Sequence, residues 1–209
     1  MANPLDHLLY AGADLDQMMA GFETLCGIKP GMGGVHPGLG TRNALASLGP
    51  DCYFEMIAPD SEQNVPGSWG ELFKTYTHPR IFSYMIRATD LESMAAVLTS
   101  AGIESDLFEA SRTTPAGAVL KWRLLIPRDN PLGNYVPKFI DWTDTTHPGL
   151  TSAKGSSLID FEIGHPEAAR LRKLLGELDV AVAVSLADRP CMRARLKTPA
   201  GLVVMNSAN

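Results

Sequence analysis

The chain repeats one order of elements, and this repeat restricts its fold more than any other feature of the sequence. An apolar run at 5–11 is followed by Asp14, and a second apolar run at 81–88 is followed by Asp90. Each aspartate precedes apolar residues at helical spacing, which predicts an N-capped helix with one buried stripe. Strand-like segments follow both helices. Each unit is therefore predicted to be βαβββ.

A third and shorter unit begins at Leu158, with a predicted helix from about Pro166 to Leu178 and two final strands joined by a turn. A turn at 115–117 is predicted inside the second unit. Each unit leaves a sheet edge and an apolar face that another unit must cover. The predicted fold is α+β: repeated βαβββ modules form a cup-shaped mixed sheet with helices outside. The predicted modules span 1–77, 78–150 and 151–209.

Composition excludes several classes of function. The formal net charge of −5 argues against nucleic acid as a partner, because binding to a phosphate backbone requires excess Lys and Arg. No apolar run is long enough to predict a membrane-spanning helix, and the N-terminus lacks the pattern of an export signal. The three cysteines match no metal or disulfide framework, which favours a reducing compartment. A cytoplasmic protein is expected.

A polar, glycine-rich segment at 33–43 contains His36, Arg42 and Asn43, and Glu55 follows in the middle of an apolar strand. A carboxylate buried in such a strand needs a cationic partner or a metal. We interpret the segment as an insertion that only the first unit has, with His36 at the mouth of the cup.

These residues resemble a known family. The resemblance rests on the strand around His7, the segment at 33–43, the strand at 53–55, and the runs at 111–117 and 121–124. Together they are similar to the glyoxalase-like domain of the vicinal oxygen chelate superfamily, over residues 5–150. The resemblance implies a cup-shaped sheet that presents a divalent metal to two substrate oxygens. It does not specify a reaction, because the superfamily includes isomerases, dioxygenases, thiol transferases and ligand-binding proteins.

The resemblance implies His7 and Glu55 as metal ligands from the first unit. Equivalent positions in the second unit are predicted to be Ser83, a poor ligand, and Asp141. Either His36 completes a two-histidine, one-carboxylate set for Zn, Fe, Mn or Ni, or the metal has been lost. Without a metal, Glu55 would form a salt bridge with an arginine, and His7 would be a neutral core histidine.

The remaining candidates concern proton transfer and substrate binding. His36 and His147 both occur in His-Pro-Gly-Leu, and an imidazole at the rim is a credible general base, as is Glu55. Candidate substrate-binding residues are an amide, two aromatic residues and the arginines, which can bind anions: Asn43, Trp122, Trp142, Arg42, Arg112 and Arg123.

Two functions are consistent with this set. The first is a metal-dependent enzyme acting on a small carbonyl or oxygen-rich substrate, of the lyase, isomerase or dioxygenase type. The second is a metal-free protein of the bleomycin-resistance type that binds a small aromatic compound between aromatic side chains. The expected partner is a small molecule in either case, and a homodimer is expected because superfamily cups are often completed across a dimer.

Overall fold

The computed structural model describes residues 2–114, 117–143 and 145–207. In chain order its strands and helices are β1 (Leu5–Ala11), α1 (Leu15–Cys26), β2 (Gly31–His36), β3 (Thr41–Ser47), β4 (Tyr53–Pro59), α2 (Trp69–Phe73), β5 (Arg80–Arg87), α3 (Leu91–Ser100), β6 (Ser105–Thr113), β7 (Val119–Pro127), β8 (Lys138–Asp141), α4 (Pro148–Thr151), β9 (Ser157–His165), α5 (Ala168–Glu177), β10 (Ala183–Leu186), β11 (Cys191–Thr198) and β12 (Gly201–Asn206).

The first eight strands form one closed sheet in the order β1-β4-β3-β2-β6-β7-β8-β5. In each unit the first strand pairs in parallel with the fourth, β1 with β4 and β5 with β8. The units meet along antiparallel β1 and β5, and the sheet is closed at its other junction by the pair Val35 and Thr113. This confirms the predicted α+β fold of paired βαβββ modules. The sheet curls until it closes into a barrel.

The two long helices of the barrel begin where the aspartates predict. The side chain of Asp14 accepts the backbone N–H of Gln17, and that of Asp90 accepts the backbone N–H of Ser93. Each bond satisfies an amide that the first helical turn leaves free. The buried stripe of α1 includes Leu15 and packs on the outer face of β3 and β4. The barrel interior is therefore left to the inward side chains of the strands.

The glycine-rich segment is not an insertion. Residues 31–36 form β2, residues 37–40 form a turn in which Gly38 and Gly40 have positive φ, and β3 begins at Thr41. The hairpin of β6 and β7 is its counterpart in the second unit. Glycine is required in the turn because it adopts positive φ without strain. The predicted turn at 115–117 includes Pro115 and Ala116, which lie outside the described residues.

The third unit forms a separate four-stranded sheet in the order β10-β9-β11-β12. Its first strand pairs with its second and third strands, so it does not repeat the order of the first two units. It packs on the outside of the barrel, where the rings of Phe161 and Tyr84 lie 5.2 Å apart. The boundaries at 77 and 150 remain predictions. No helix within the described ranges has the length and apolarity needed to cross a membrane.

Candidate functional site

A cavity of about 410 Å³ lies inside the barrel. Every second side chain of a strand faces inward, and these inward side chains form the cavity wall. On β4 the inward residues are Tyr53, Glu55 and Ile57. The remaining wall is mainly apolar: Leu9, Met85, Trp122, Leu124, Ile140 and Trp142. Its size suits a small organic molecule.

Three ionisable side chains are linked by hydrogen bonds: His7 and Glu55 in the cavity wall and Asp6 behind it. His7 Nδ1 lies 2.6 Å from Asp6 Oδ1, and His7 Nε2 lies 3.2 Å from Glu55 Oε2. Burial alone would lower the pKa of His7, but the two carboxylates outweigh it and raise the pKa to about 9. Burial would raise the pKa of Asp6 and of Glu55, yet the hydrogen bonds from histidine lower each to about 2. The three side chains are therefore an imidazolium between two carboxylates.

Asp6 has no solvent exposure and binds three side chains behind the cavity wall. Besides His7, it accepts hydrogen bonds from Trp142 Nε1 at 3.1 Å and from His147 Nε2 at 3.0 Å. His147 Nδ1 accepts the backbone N–H of Gly149, which leaves Nε2 to carry the proton. His147 does not line the cavity. It contributes to holding the Asp6 carboxylate and the wall residue Trp142.

His36 lines the cavity beside Glu55. Its Nδ1 lies 2.9 Å from the hydroxyl oxygen of Thr41, and its Nε2 lies 3.9 Å from Glu55 Oε1. Burial lowers the pKa of His36, although the Glu55 carboxylate opposes this shift. Asn43 Nδ2 contacts both groups, at 2.6 Å from Glu55 Oε1 and 3.3 Å from His36 Nε2. His36 is therefore neutral at pH 7 and lies next to an ionised carboxylate.

The structure separates the three candidate arginines. Arg42 faces α1, where Nη2 lies 3.6 Å from Asp16 Oδ2. Arg123 is on the outer face of β7 and pairs with Glu92. Neither lines the cavity, so their predicted contact with substrate is not supported by their positions. Arg112 lines the cavity and is 5% exposed. The predicted lining residues Asn43, Trp122 and Trp142 are in the cavity wall.

Strand register corrects the prediction for Asp141. Glu55 pairs with Leu9 in the first unit, and Met85, the residue equivalent to Leu9, pairs with Lys138 in the second. Lys138 therefore occupies the position that corresponds to Glu55. Asp141 does not line the cavity, and its carboxylate accepts a backbone N–H from the turn that follows β8.

A four-ligand metal site does not fit these residues. The second unit supplies Ser83 and Lys138 where the first supplies His7 and Glu55, and Lys138 Nζ donates to Ser83 Oγ at 2.7 Å. Burial lowers the pKa of Lys138 to about 7, so near neutral pH a large share of molecules carries an ammonium group here, which has no lone pair for a metal and repels a dication. The position that symmetry assigns to a fourth ligand therefore opposes binding of a divalent ion.

A three-ligand site formed by His7, His36 and Glu55 does not fit either. Asn43 Nδ2 contacts both Glu55 Oε1, at 2.6 Å, and His36 Nε2, at 3.3 Å, so one amide group already uses the two atoms that a shared ion would bind. His7 Nε2 lies 3.2 Å from Glu55 Oε2, so these two candidate ligands are paired with each other. Within 2–114, 117–143 and 145–207, no group of three or more His, Cys, Asp and Glu side chains has a metal-binding arrangement.

The hydrogen bonds that link Asp6, His7 and Glu55 should make the stability of the folded protein depend on pH. The pKa of His7 is raised from 6.5 to about 9, so the folded protein binds more protons over this range and stability falls as the pH rises through it. Burial lowers the pKa of Lys138 to about 7, which acts in the opposite direction at alkaline pH. Lys138 is present in both wild type and His7→Gln, so the difference in stability between these two proteins isolates the contribution of His7. The stability difference between wild type and His7→Gln should shrink from pH 6.5 to pH 9 in urea unfolding; a constant difference would contradict the raised pKa.

A closed barrel of two βαβββ units around a partly polar cavity defines a class of small-molecule enzymes and binding proteins. The family model of the glyoxalase-like domain matches residues 5–178. The chain belongs to this family and thus to the vicinal oxygen chelate superfamily. A comparison with curated protein sequences finds no match.

Several solved structures share the fold. A hypothetical protein from Staphylococcus aureus is 18% identical, with a TM-score of 0.67 over 97% of this chain and 84% of that one. Methylmalonyl-CoA epimerase from Streptomyces coelicolor, in complex with 2-nitronate-propionyl-CoA, is 16% identical, with a TM-score of 0.52 over 68% and 98%. Another methylmalonyl-CoA epimerase structure, in complex with methylmalonyl-CoA and NH4+, is 18% identical, with a TM-score of 0.51 over 71% and 100%.

Proposed function

We propose that the protein is an isomerase-type enzyme that moves a proton at a carbon next to a carbonyl group of a small substrate. The observation that carries the proposal is His36, a neutral imidazole that lines the cavity beside ionised Glu55. A neutral imidazole can remove a proton at pH 7, and a nearby carboxylate stabilises the imidazolium that forms. This is the arrangement that general base catalysis requires.

In the proposed reaction, His36 both removes the proton and returns it. With its Nδ1 proton directed to the Thr41 hydroxyl, His36 has a lone pair on Nε2. The Asn43 contact at 3.3 Å is long for a hydrogen bond, so a substrate C–H can replace it. The proton passes to Nε2, the C–H electron pair forms an enolate, and a proton returns to carbon from the imidazolium. Inversion requires the enolate to turn over in the cavity before the imidazolium returns the proton, so that the proton reaches the opposite face of the carbon.

The similar structures support this class of reaction. Two of them are epimerases by name, and an epimerase inverts one stereocentre. Inversion at a carbon next to a carbonyl requires a proton to leave and return. A metal-assisted route is common among superfamily members, but the residues of this cavity do not form a fitting metal site.

Hydrogen exchange tests the proposal on a panel of carbonyl compounds. The protein is incubated in D2O with ketones, keto acids and thioesters that carry a C–H next to a carbonyl, among them 3-benzoylpropionate. NMR should show loss of that C–H signal at a rate proportional to enzyme concentration. One arm contains EDTA and another contains added Zn²⁺, Mn²⁺, Fe²⁺ or Ni²⁺. We expect equal exchange with EDTA; exchange only with added metal would contradict the metal-free route.

A binding protein is the second candidate function. The rings of Trp122 and Trp142 lie 5.3 Å apart in the cavity wall, which suits stacking against an aromatic ligand. Under this alternative, aromatic members of the panel would raise the melting temperature while wild-type protein exchanges no proton in any of them. That pair of results would contradict the proposed enzyme and favour sequestration.

A further inference from the structure

Arg112 is a buried cation without a counter-ion in its surroundings. It lies on β6, is 5% exposed and lines the cavity. Over the described parts of the chain, no carboxylate lies within ion-pair distance of its guanidinium and no oxygen accepts a hydrogen bond from it. Its nitrogens are also not among the sealed, unpartnered atoms, which are Arg42 Nε and Asn43 Oδ1. Because Arg112 lines the cavity, a ligand there can accept hydrogen bonds from its guanidinium.

The glycines of the polar segment make room for this side chain. A Cβ on Gly33 would lie 2.5 Å from Arg112 Nη1 and would also collide with Asn43 Oδ1. A Cβ on Gly34 would lie 3.0 Å from Arg112 Cγ and would collide with the carbonyl oxygen of Thr113. By contrast, nothing lies within 4 Å of a Cβ on Gly31. The glycine pair is thus explained by the close approach of Asn43, Arg112 and the Thr113 carbonyl to β2.

We propose that Arg112 binds a carboxylate group of the substrate, which makes the substrate a small carboxylic acid with a separate ketone or thioester carbonyl. This inference rests on the proposed function, and it assigns the substrate class of the same site. A guanidinium pairs with a carboxylate through two parallel hydrogen bonds. Arg112 is the one Lys or Arg among the described residues that line the cavity, so the site matches a single negative charge rather than a phosphate dianion.

Binding is measured by calorimetry with 3-benzoylpropionate and its methyl ester, which differ in the carboxylate charge. Wild-type protein should bind the acid about 10- to 100-fold more tightly, as expected for hydrogen bonds between charged groups. Arg112→Gln should bind acid and ester alike. Arg123→Gln is the matched control, because Arg123 pairs with Glu92 on the outer face, and this variant should keep the preference.

If Arg112→Gln does not fold, a second pair of variants tests the same proposal. Gly33→Ala should weaken acid binding by displacing the guanidinium, whereas Gly31→Ala should leave it unchanged; circular dichroism confirms that both variants are folded. Equal affinity of the wild type for acid and ester would overturn the proposal, as would an acid preference that survives in folded Arg112→Gln. Tighter binding of phenyl phosphate than of the acid would overturn the carboxylate assignment.

The two proposals fail in different ways. Exchange without a preference for acids leaves the proton-transfer function in place and removes the role of Arg112. A preference for acids that depends on Arg112, with no exchange in any compound, supports the binding site and contradicts the reaction.

Discussion

Replacing His36 with glutamine should slow substrate hydrogen exchange by about 10²- to 10⁴-fold, the usual contribution of a general base. Glutamine can still bond to the Thr41 hydroxyl, which lies 2.9 Å from Nδ1 in the wild type, but it cannot accept a proton near neutral pH. The loss should appear in kcat, with KM little changed, because the proton acceptor matters mainly in the transition state. The measurement is initial exchange rates by NMR over a range of substrate concentrations.

His165→Gln is the matched control for this variant. His165 is also buried and also precedes a proline, but it packs against Tyr135 outside the cavity. Its replacement should leave the rate unchanged. Because burial lowers the pKa of His36 below 6.5, the wild-type rate should persist below pH 6.5 before it falls. A loss confined to KM, or an equal loss in His165→Gln, would assign His36 a structural role.

The fold could be predicted from the sequence because its signals are local. Asp14 and Asp90 each precede a helical stripe, and strand segments follow at turn-separated intervals. Two such units leave edges that can satisfy each other, so a curled sheet follows. The strand order of the third unit, in which β9 lies between β10 and β11, could not be predicted in this way, because local signals do not specify which strands pair.

The site was predicted less completely, since it depends on strand register. The family resemblance implies His7 and Glu55, the polar segment indicates His36, and the structure brings the three side chains together. Lys138 was missed because counting along β8 without its partner strand matches Asp141 to Glu55 instead. The error is three residues, and any odd shift in register moves every side chain to the opposite face.

Asp6 was missed for a different reason. In a regular strand Asp6 and His7 point to opposite faces, so the sequence gives no reason to pair them. The pairing of β1 with β5 shifts register between Leu5 and His7, as at a β-bulge. Such a bulge redirects side chains, and Asp6 reaches His7 Nδ1 at 2.6 Å.

Asp6→Asn should lower the free energy of unfolding by about 3–5 kcal/mol, the cost of removing one partner from a buried ion pair. Asp6 is fully buried, and its carboxylate accepts hydrogen bonds from His7, Trp142 and His147. Asparagine has the same shape but no charge, and it presents N–H donors to neighbours that are themselves donors. His7 would then keep only Glu55 as a counter-ion. Urea unfolding at pH 6, where wild-type His7 is charged, measures the loss.

Asp51→Asn provides the control, because Asp51 is 75% exposed at its side chain and forms a surface ion pair with Arg87 at 3.3 Å. Its removal should change stability little, since water and salt screen such pairs. The double variant Asp6→Asn with His7→Gln should lose less than the sum of the single losses, because the uncompensated charge is gone. Additive losses would show that Asp6 acts through packing rather than charge. A loss no larger than that of Asp51→Asn would contradict the buried ion pairs of Asp6, His7 and Glu55. The ionised state of Glu55 beside His36 would then need another explanation.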